Sequence, residues 1–151
     1  LEERLAALEG GVGAGATASG MAALHLAIAT LLNAGDHVVA SSSLYGGTIN
    51  LLAHTLPRFG IEVSLVDTSR PEEVKAAFRP NTRMLWLETP TNPTMRLCDI
   101  ALLADLAHGS GVRDVVVDST FASPIATKPL RLGADFVILR IVRVLMTGTG
   151  N

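Results

Sequence analysis

Apolar and polar positions follow two rhythms along this chain. Short apolar runs bounded by Gly, Pro, Asp or Ser read as strands, and longer stretches with apolar residues three and four apart read as helices. Leu1 to Leu8 is a short amphipathic helix with Leu1, Leu5 and Leu8 on one side. A glycine-rich stretch, Gly10 to Gly15, follows, and Ala16-Thr17-Ala18 reads as the end of a short strand. Ser19 is placed as an N-cap, opening a helix from Gly20 to Asn33. That helix is apolar nearly all round, which predicts burial on several sides. His37–Ala40, Glu62–Val66, Arg83–Glu88, Val115–Asp118 and Asp135–Ile138 read as strands. Gly46–Leu56, ended by Pro57, Pro71–Phe78 and Asp99–His108 read as helices. Pro71, Glu72 and Glu73 suit a helix N-terminus, and Asp99 and Gly109 suit the two ends of the last helix.

This β-α-β-α order with short links predicts an α/β fold of three layers around a mainly parallel sheet. The run of valines before Asp118 is the pattern of a parallel strand covered on both faces. In such sheets ligands bind beyond the carboxyl ends of the strands. Ser19-Gly20, Tyr45, Glu88 to Asn92 and Asp118 each lie just past a predicted strand.

Composition sharpens this picture. Of 151 residues, 48% are hydrophobic and 17% charged, and the mean hydropathy is +0.39. The length predicts one domain. The apolar content excludes intrinsic disorder, while no apolar run approaches the ~18 residues of a membrane span. A net charge of −2 gives no bulk attraction to nucleic acid or an anionic membrane. The single cysteine, Cys98, excludes an internal disulfide and fits a reducing, cytoplasmic setting. No signal peptide is visible at Leu1-Glu2-Glu3-Arg4. A chain this apolar either buries its elements on both faces or carries surface that belongs to a partner.

Several positions bear candidate chemistry. A helix start at Ser19-Gly20-Met21 offers free backbone N–H groups to an anion, and glycine permits close approach; ordinary capping is the plainer alternative. Gly11, Gly13 and Ala16 match a dinucleotide fingerprint, but a helix rather than a strand precedes them. Asp118 ends an apolar strand, where a charge needs a partner: a salt bridge, a cap, or the protonated nitrogen of a buried base. Tyr45, the only tyrosine, can stack on a flat ring or simply pack half-buried. Pro90 and Pro93 stiffen the polar loop Glu88 to Thr94 and aim Asn92. The four histidines lack metal-ligand spacing; His25 reads as a core residue and Cys98 as a small packed one.

The segments LEERLAALEG, ATASGMAAL, SSSLYGGT, LPRFGIEVSLVD, LETPTNPT, VVVDSTFASP and PLRLGAD, in this order and spacing, resemble the trans-sulfuration, or Cys/Met-metabolism, family of pyridoxal-phosphate enzymes. That family includes cystathionine γ-synthase, cystathionine γ-lyase, methionine γ-lyase and homoserine sulfhydrylases. The resemblance runs from Leu1 to about Ile138. It implies the large domain of the aspartate-aminotransferase-like fold, in an enzyme acting on homoserine-derived or sulfur amino acids. Gly20 and Met21 would then meet the cofactor phosphate, Tyr45 would stack on the pyridine ring and Asp118 would pair with its nitrogen. Asn92 would approach the phenolic oxygen, with Glu88 and Thr120 around it. The family assembles as a tetramer, and its N-terminal arm and C-terminal domain would lie outside residues 1–151. Methionine γ-lyases usually carry cysteine where this chain has Gly47, which tilts the expectation toward the other activities.

Beyond Ile138 the pattern departs. The family continues His-Ser-x-Thr-Lys-Tyr, whereas this chain reads Leu139-Arg140-Ile141-Val142-Arg143-Val144. Arg143 stands at the Schiff-base lysine, Arg140 at the phosphate-binding serine and Val142 at the threonine. A guanidinium stays charged and does not replace a neutral amine. The resemblance therefore implies an inactive chain, or a non-catalytic binding or oligomerisation module that pairs with itself or an intact paralogue. Arg140 is left with an attraction for phosphate at unspecified geometry. A shifted reading frame would produce such an abrupt departure; an intact frame with the same codons on resequencing would sink that origin.

Overall fold

The computed structural model describes residues 1–140. Five strands form one parallel sheet: β1 (His37–Ser41), β2 (Glu62–Val66), β3 (Thr82–Glu88), β4 (Asp114–Asp118) and β5 (Phe136–Ile138), in the order β2-β1-β3-β4-β5. The helices are α1 (Glu2–Glu9), α2 (Gly20–Leu31), α3 (Gly46–Asn50), α4 (Pro71–Ala77), α5 (Ile100–Gly109) and α6 (Ser123–Ala126).

Successive strand residues point to opposite faces, and both faces are apolar. Val38, Ala40, Met84, Trp86 and Val116 pack in one core with Leu24 and Ile28 of α2 and Leu51 and Leu52 beyond α3. Val39, Leu85, Leu87, Val115 and Val117 pack in the other with Val74 of α4 and Leu103, Ala104 and Ala107 of α5. This is the expected three-layer α/β arrangement. Because β1 lies between β2 and β3, the chain reverses its direction of travel across the sheet there. The carboxyl ends of β1 and β3 flank the resulting crevice.

The local expectations need three corrections. Ala16–Ala18 is not a strand; the segment from Gly13 to Thr17 is irregular. α2 is not buried all round. Leu24 and Ile28 face the sheet one turn apart, while His25 and Leu26 are exposed. His25 is thus no core residue, and its Nδ1 lies 2.8 Å from the Met21 carbonyl. Apolar sequence reports preference, but only one stripe of a helix on a sheet meets the core. The helix after Tyr45 loosens past Asn50 into a wider turn, Leu51–Thr55, then a tight one, Leu56–Phe59, that includes Pro57 and closes at Gly60 with φ +75°.

Ser19 does cap α2: its Oγ accepts the Ala22 N–H at 3.1 Å. Ser19→Ala is expected to cost about 0.5–2 kcal/mol in urea unfolding, with Ser19→Asp restoring most of it.

His37 ties β1 to both neighbours. It is fully buried, with Nδ1 2.8 Å from Thr82 Oγ1 of β3 and Nε2 2.9 Å from Ser64 Oγ of β2. Burial holds its pKa below the ordinary histidine value, and the Arg79 charge adds to this. The unfolded chain therefore takes up this proton at a higher pH than the folded one. Its stabilising effect is complete above the unfolded histidine pKa of about 6.5 and is lost as pH falls through the folded value. Denaturation midpoints measured downward from pH 7 are expected to drop, and His37→Gln to flatten that slope.

Candidate functional site

Five chain segments converge at the carboxyl edge of the sheet: the first turn of α2, the turn after β1, the loop after β3, the end of β4 and Arg140 after β5. Glu88 ends β3 and is 4% exposed. Its Oε2 accepts the Tyr45 N–H at 2.9 Å and its Oε1 the Asn92 N–H at 3.0 Å. One carboxylate thus fastens the turn after β1 to the loop after β3, across the crevice. Burial pushes the Glu88 pKa up, the two backbone N–H donors oppose this, the Asp118 charge adds to the rise and Arg140 lowers it. Both proline bonds of the loop, Thr89-Pro90 and Asn92-Pro93, are cis.

Asp118 is the register partner of Glu88 on β4 and is 2% exposed. Its Oδ1 accepts from Thr120, from the backbone N–H at 3.1 Å and the hydroxyl at 2.5 Å. Its Oδ2 accepts from Arg140 Nη2 at 2.9 Å. The same Nη2 lies 3.2 Å from Thr48 Oγ1, and the Arg140 backbone N–H donates to Thr120 Oγ1 at 3.1 Å. The guanidinium carbon stands 4.5 Å from the centroid of the Tyr45 ring, within the range of a cation–π contact.

Two glycines allow this crowding. A Cβ on Gly20 would fall 2.3 Å from both Cγ and Cδ of Arg140. A Cβ on Gly47 would fall 2.6 Å from Tyr45 Cε1 and 3.3 Å from Met21 Sδ. The first turn of α2, the Arg140 stem and the Tyr45 ring therefore meet at one place.

Of the residues singled out in the sequence, Gly20, Met21, Tyr45, Glu88, Asn92, Asp118 and Thr120 all lie on these converging segments. Asn92 is held through its backbone N–H. Arg143 and Val142 lie outside the described residues. Arg140 turns its guanidinium toward Asp118 and Tyr45. Thr48, buried in the first turn of α3, was not anticipated; its only signal is its place in Tyr45-Gly46-Gly47-Thr48. A helix, α1, precedes Gly11, so the dinucleotide fingerprint lacks its strand. The Cys98 thiol is pushed up to about 11 by burial, as suits a packed residue rather than a nucleophile. Among the described residues there is no metal-binding group of His, Cys, Asp or Glu, and no helix long and apolar enough to cross a membrane.

Residues 1–144 match the family described as Cys/Met metabolism PLP-dependent enzyme. The chain belongs to that family. Among its relatives, an L-methionine γ-lyase of Porphyromonas gingivalis is 52% identical over 91% of this chain and 35% of its own length. The cystathionine γ-lyase of Bacillus subtilis is 47% identical over 91% of this chain and 36% of its own. The O-acetyl-L-homoserine sulfhydrylase of Leptospira meyeri is 48% identical over 96% of this chain and 33% of its own. Among solved structures, metB from Corynebacterium glutamicum superposes with a TM-score of 0.85 at 46% identity, covering 88% of this chain and 34% of that one. This Cys/Met-metabolism chain thus spans about a third of the length of the relatives it matches. Three activities recur at 47–52% identity, so overall likeness does not choose among them. Family members depend on pyridoxal phosphate.

Proposed function

We propose that this chain is the cofactor-cradling part of a pyridoxal-phosphate enzyme that makes or breaks carbon–sulfur bonds in homoserine-derived or sulfur amino acids. Support comes chiefly from Tyr45 and Asp118 facing one spot at the crevice between β1 and β3. In this reading Tyr45 stacks on the ring, Asp118 holds its nitrogen protonated, and the N–H groups of Gly20 and Met21 meet the phosphate. Asn92 lies toward the phenolic oxygen, while Glu88 and Thr120 hold the segments in place. The group supplies an electron sink for carbanions when bound.

The residues are assembled, but the space between them is taken. The Arg140 stem lies where the first turn of α2 would meet the phosphate, and its guanidinium covers Tyr45 and pairs with Asp118. As arranged, the site does not fit a cofactor ring, and we assign these residues no chemical step. Arg143, at the lysine position, offers no neutral amine either. Of the lysines, Lys75 sits on α4, in the layer opposite α2, and Lys128 lies near Glu9, whose pKa its charge lowers against a rise from burial.

The chain by itself is therefore inactive in this chemistry. Added pyridoxal phosphate is expected to leave no stoichiometric, site-specific pyridoxyl label after borohydride reduction, only sparse labelling of exposed amines. A single stoichiometric label mapping to Lys128 would overturn the inactivity. A second reading, a non-catalytic module pairing with itself or an intact paralogue in the cytoplasm, is favoured by the exposed Val12, Leu26, Leu97 and Ile125. Co-purification with a full-length subunit supports it, and a clean monomer at high concentration in sedimentation counts against it.

A further inference from the structure

We infer that Arg140 is an intramolecular plug: its guanidinium occupies the seat of a planar cation between Tyr45 and Asp118 and closes the cleft to other flat, positively charged rings. The inference rests on the reading that a protonated pyridine bearing a phosphate belongs in this cleft.

The argument is one of matched chemistry. A guanidinium is flat, delocalised and permanently charged, with N–H donors on its edge. A protonated pyridine is also flat and cationic, with one edge N–H. Each is served by the same two hosts, an aromatic face and a buried carboxylate. Arg140 uses both, the Tyr45 face at 4.5 Å and Asp118 Oδ2 at 2.9 Å. Its backbone N–H is bound to Thr120, so the plug grows out of the wall of the site it fills. Its side chain is 19% exposed, so it lies inside the cleft and does not merely cross its mouth. The stem runs against Gly20, so one residue covers both the ring seat and the approach to the helix start. The grip is incomplete: Arg140 Nε is buried without a hydrogen-bond partner among the described residues.

A ligand that enters must displace Arg140 and then satisfy Asp118. A neutral ring leaves that carboxylate buried and unpaired, so the opened cleft selects a cation. Apparent affinity falls by the fraction of molecules in which the cleft is open, so removing the plug raises it by the inverse of that fraction.

Pyridoxamine 5'-phosphate is the probe, because it keeps the ring and phosphate but has no aldehyde to react with lysines. Titration calorimetry compares the 151-residue chain with Arg140→Ala and, should that variant fold poorly, Arg140→Gln. The expected result is about ten- to hundredfold tighter binding to the variants, and benzyl phosphate, which lacks the ring nitrogen, gaining nothing. In parallel, millimolar methylguanidinium is expected to raise the melting temperature of Arg140→Ala and to leave that of the parent chain unchanged. Equal pyridoxamine phosphate affinity in parent and variants would overturn the plug while leaving the cofactor-site reading intact. Rescue by methylguanidinium with no pyridoxamine phosphate binding to either variant would keep the plug and sink that reading. Failure of both ligands on both variants would overturn the plug and the reading together.

Discussion

Replacing Asp118 with alanine is expected to destabilise the chain by about 3–5 kcal/mol. The carboxylate is 2% exposed and its partner side chain 19%, so this is a largely desolvated pair. Removing the acid leaves the Arg140 guanidinium, among the described residues, with the Tyr45 face, the Thr48 hydroxyl and the more distant Glu88 charge. Thr120 also loses the acceptor for both its N–H and its hydroxyl. The cost is that of a charge left uncompensated in low dielectric, which exceeds the net worth of the pair itself. Removing both partners, as in Asp118→Ala with Arg140→Met, is therefore expected to recover most of the loss. Urea unfolding of the two single variants and the double one gives the coupling directly. A loss below about 1 kcal/mol for Asp118→Ala would show that the pair is effectively solvated.

The strands were legible because both faces of the sheet are apolar and each run is closed by a turn residue. Glu62–Val66 coincides with its expected bounds, and His37, Arg83 and Val115 open readings within a residue or so of the strands. The site positions were legible for a related reason: a parallel sheet places whatever follows each strand at one edge, so Tyr45, Glu88 and Asp118 had to approach one another. What local pattern could not show was non-local. The wider turn at Leu51–Thr55 has no side-chain cap to announce it. The exposure of His25 depends on which stripe of α2 meets the sheet, the one that carries Leu24 and Ile28. The Arg140 conformation depends on contacts with Gly20, Tyr45, Thr48 and Asp118, all distant in the chain. No period or spacing encodes a single arginine reaching back across the sheet edge.

Gly20→Ala tests that long-range contact from its other side. Alanine favours a helix over glycine, by up to about 1 kcal/mol in an interior position and less in the first turn, where Gly20 sits. On helical preference alone the substitution is neutral or slightly stabilising. The added Cβ, however, would sit 2.3 Å from two carbons in the middle of the Arg140 side chain. Those carbons are fixed by Asp118 at one end of the residue and by the Thr120 hydroxyl at the other. Arg140 must either strain or let go of Asp118, and overpacking of this kind costs about 1–3 kcal/mol. Gly20→Ala is therefore expected to destabilise the parent chain by that amount in urea unfolding. In an Arg140→Ala background the three nearest of these atoms, Cγ, Cδ and Nε of Arg140, are gone, and the penalty is expected to vanish or reverse. Equal penalties in the two backgrounds would mean that Arg140 does not lie against Gly20 in solution. The reversal separates a glycine kept for Arg140 from one kept only for the turn. The turn alone does not demand it: Gly20 is a helical residue of α2, and the extended backbone at the cap belongs to Ser19.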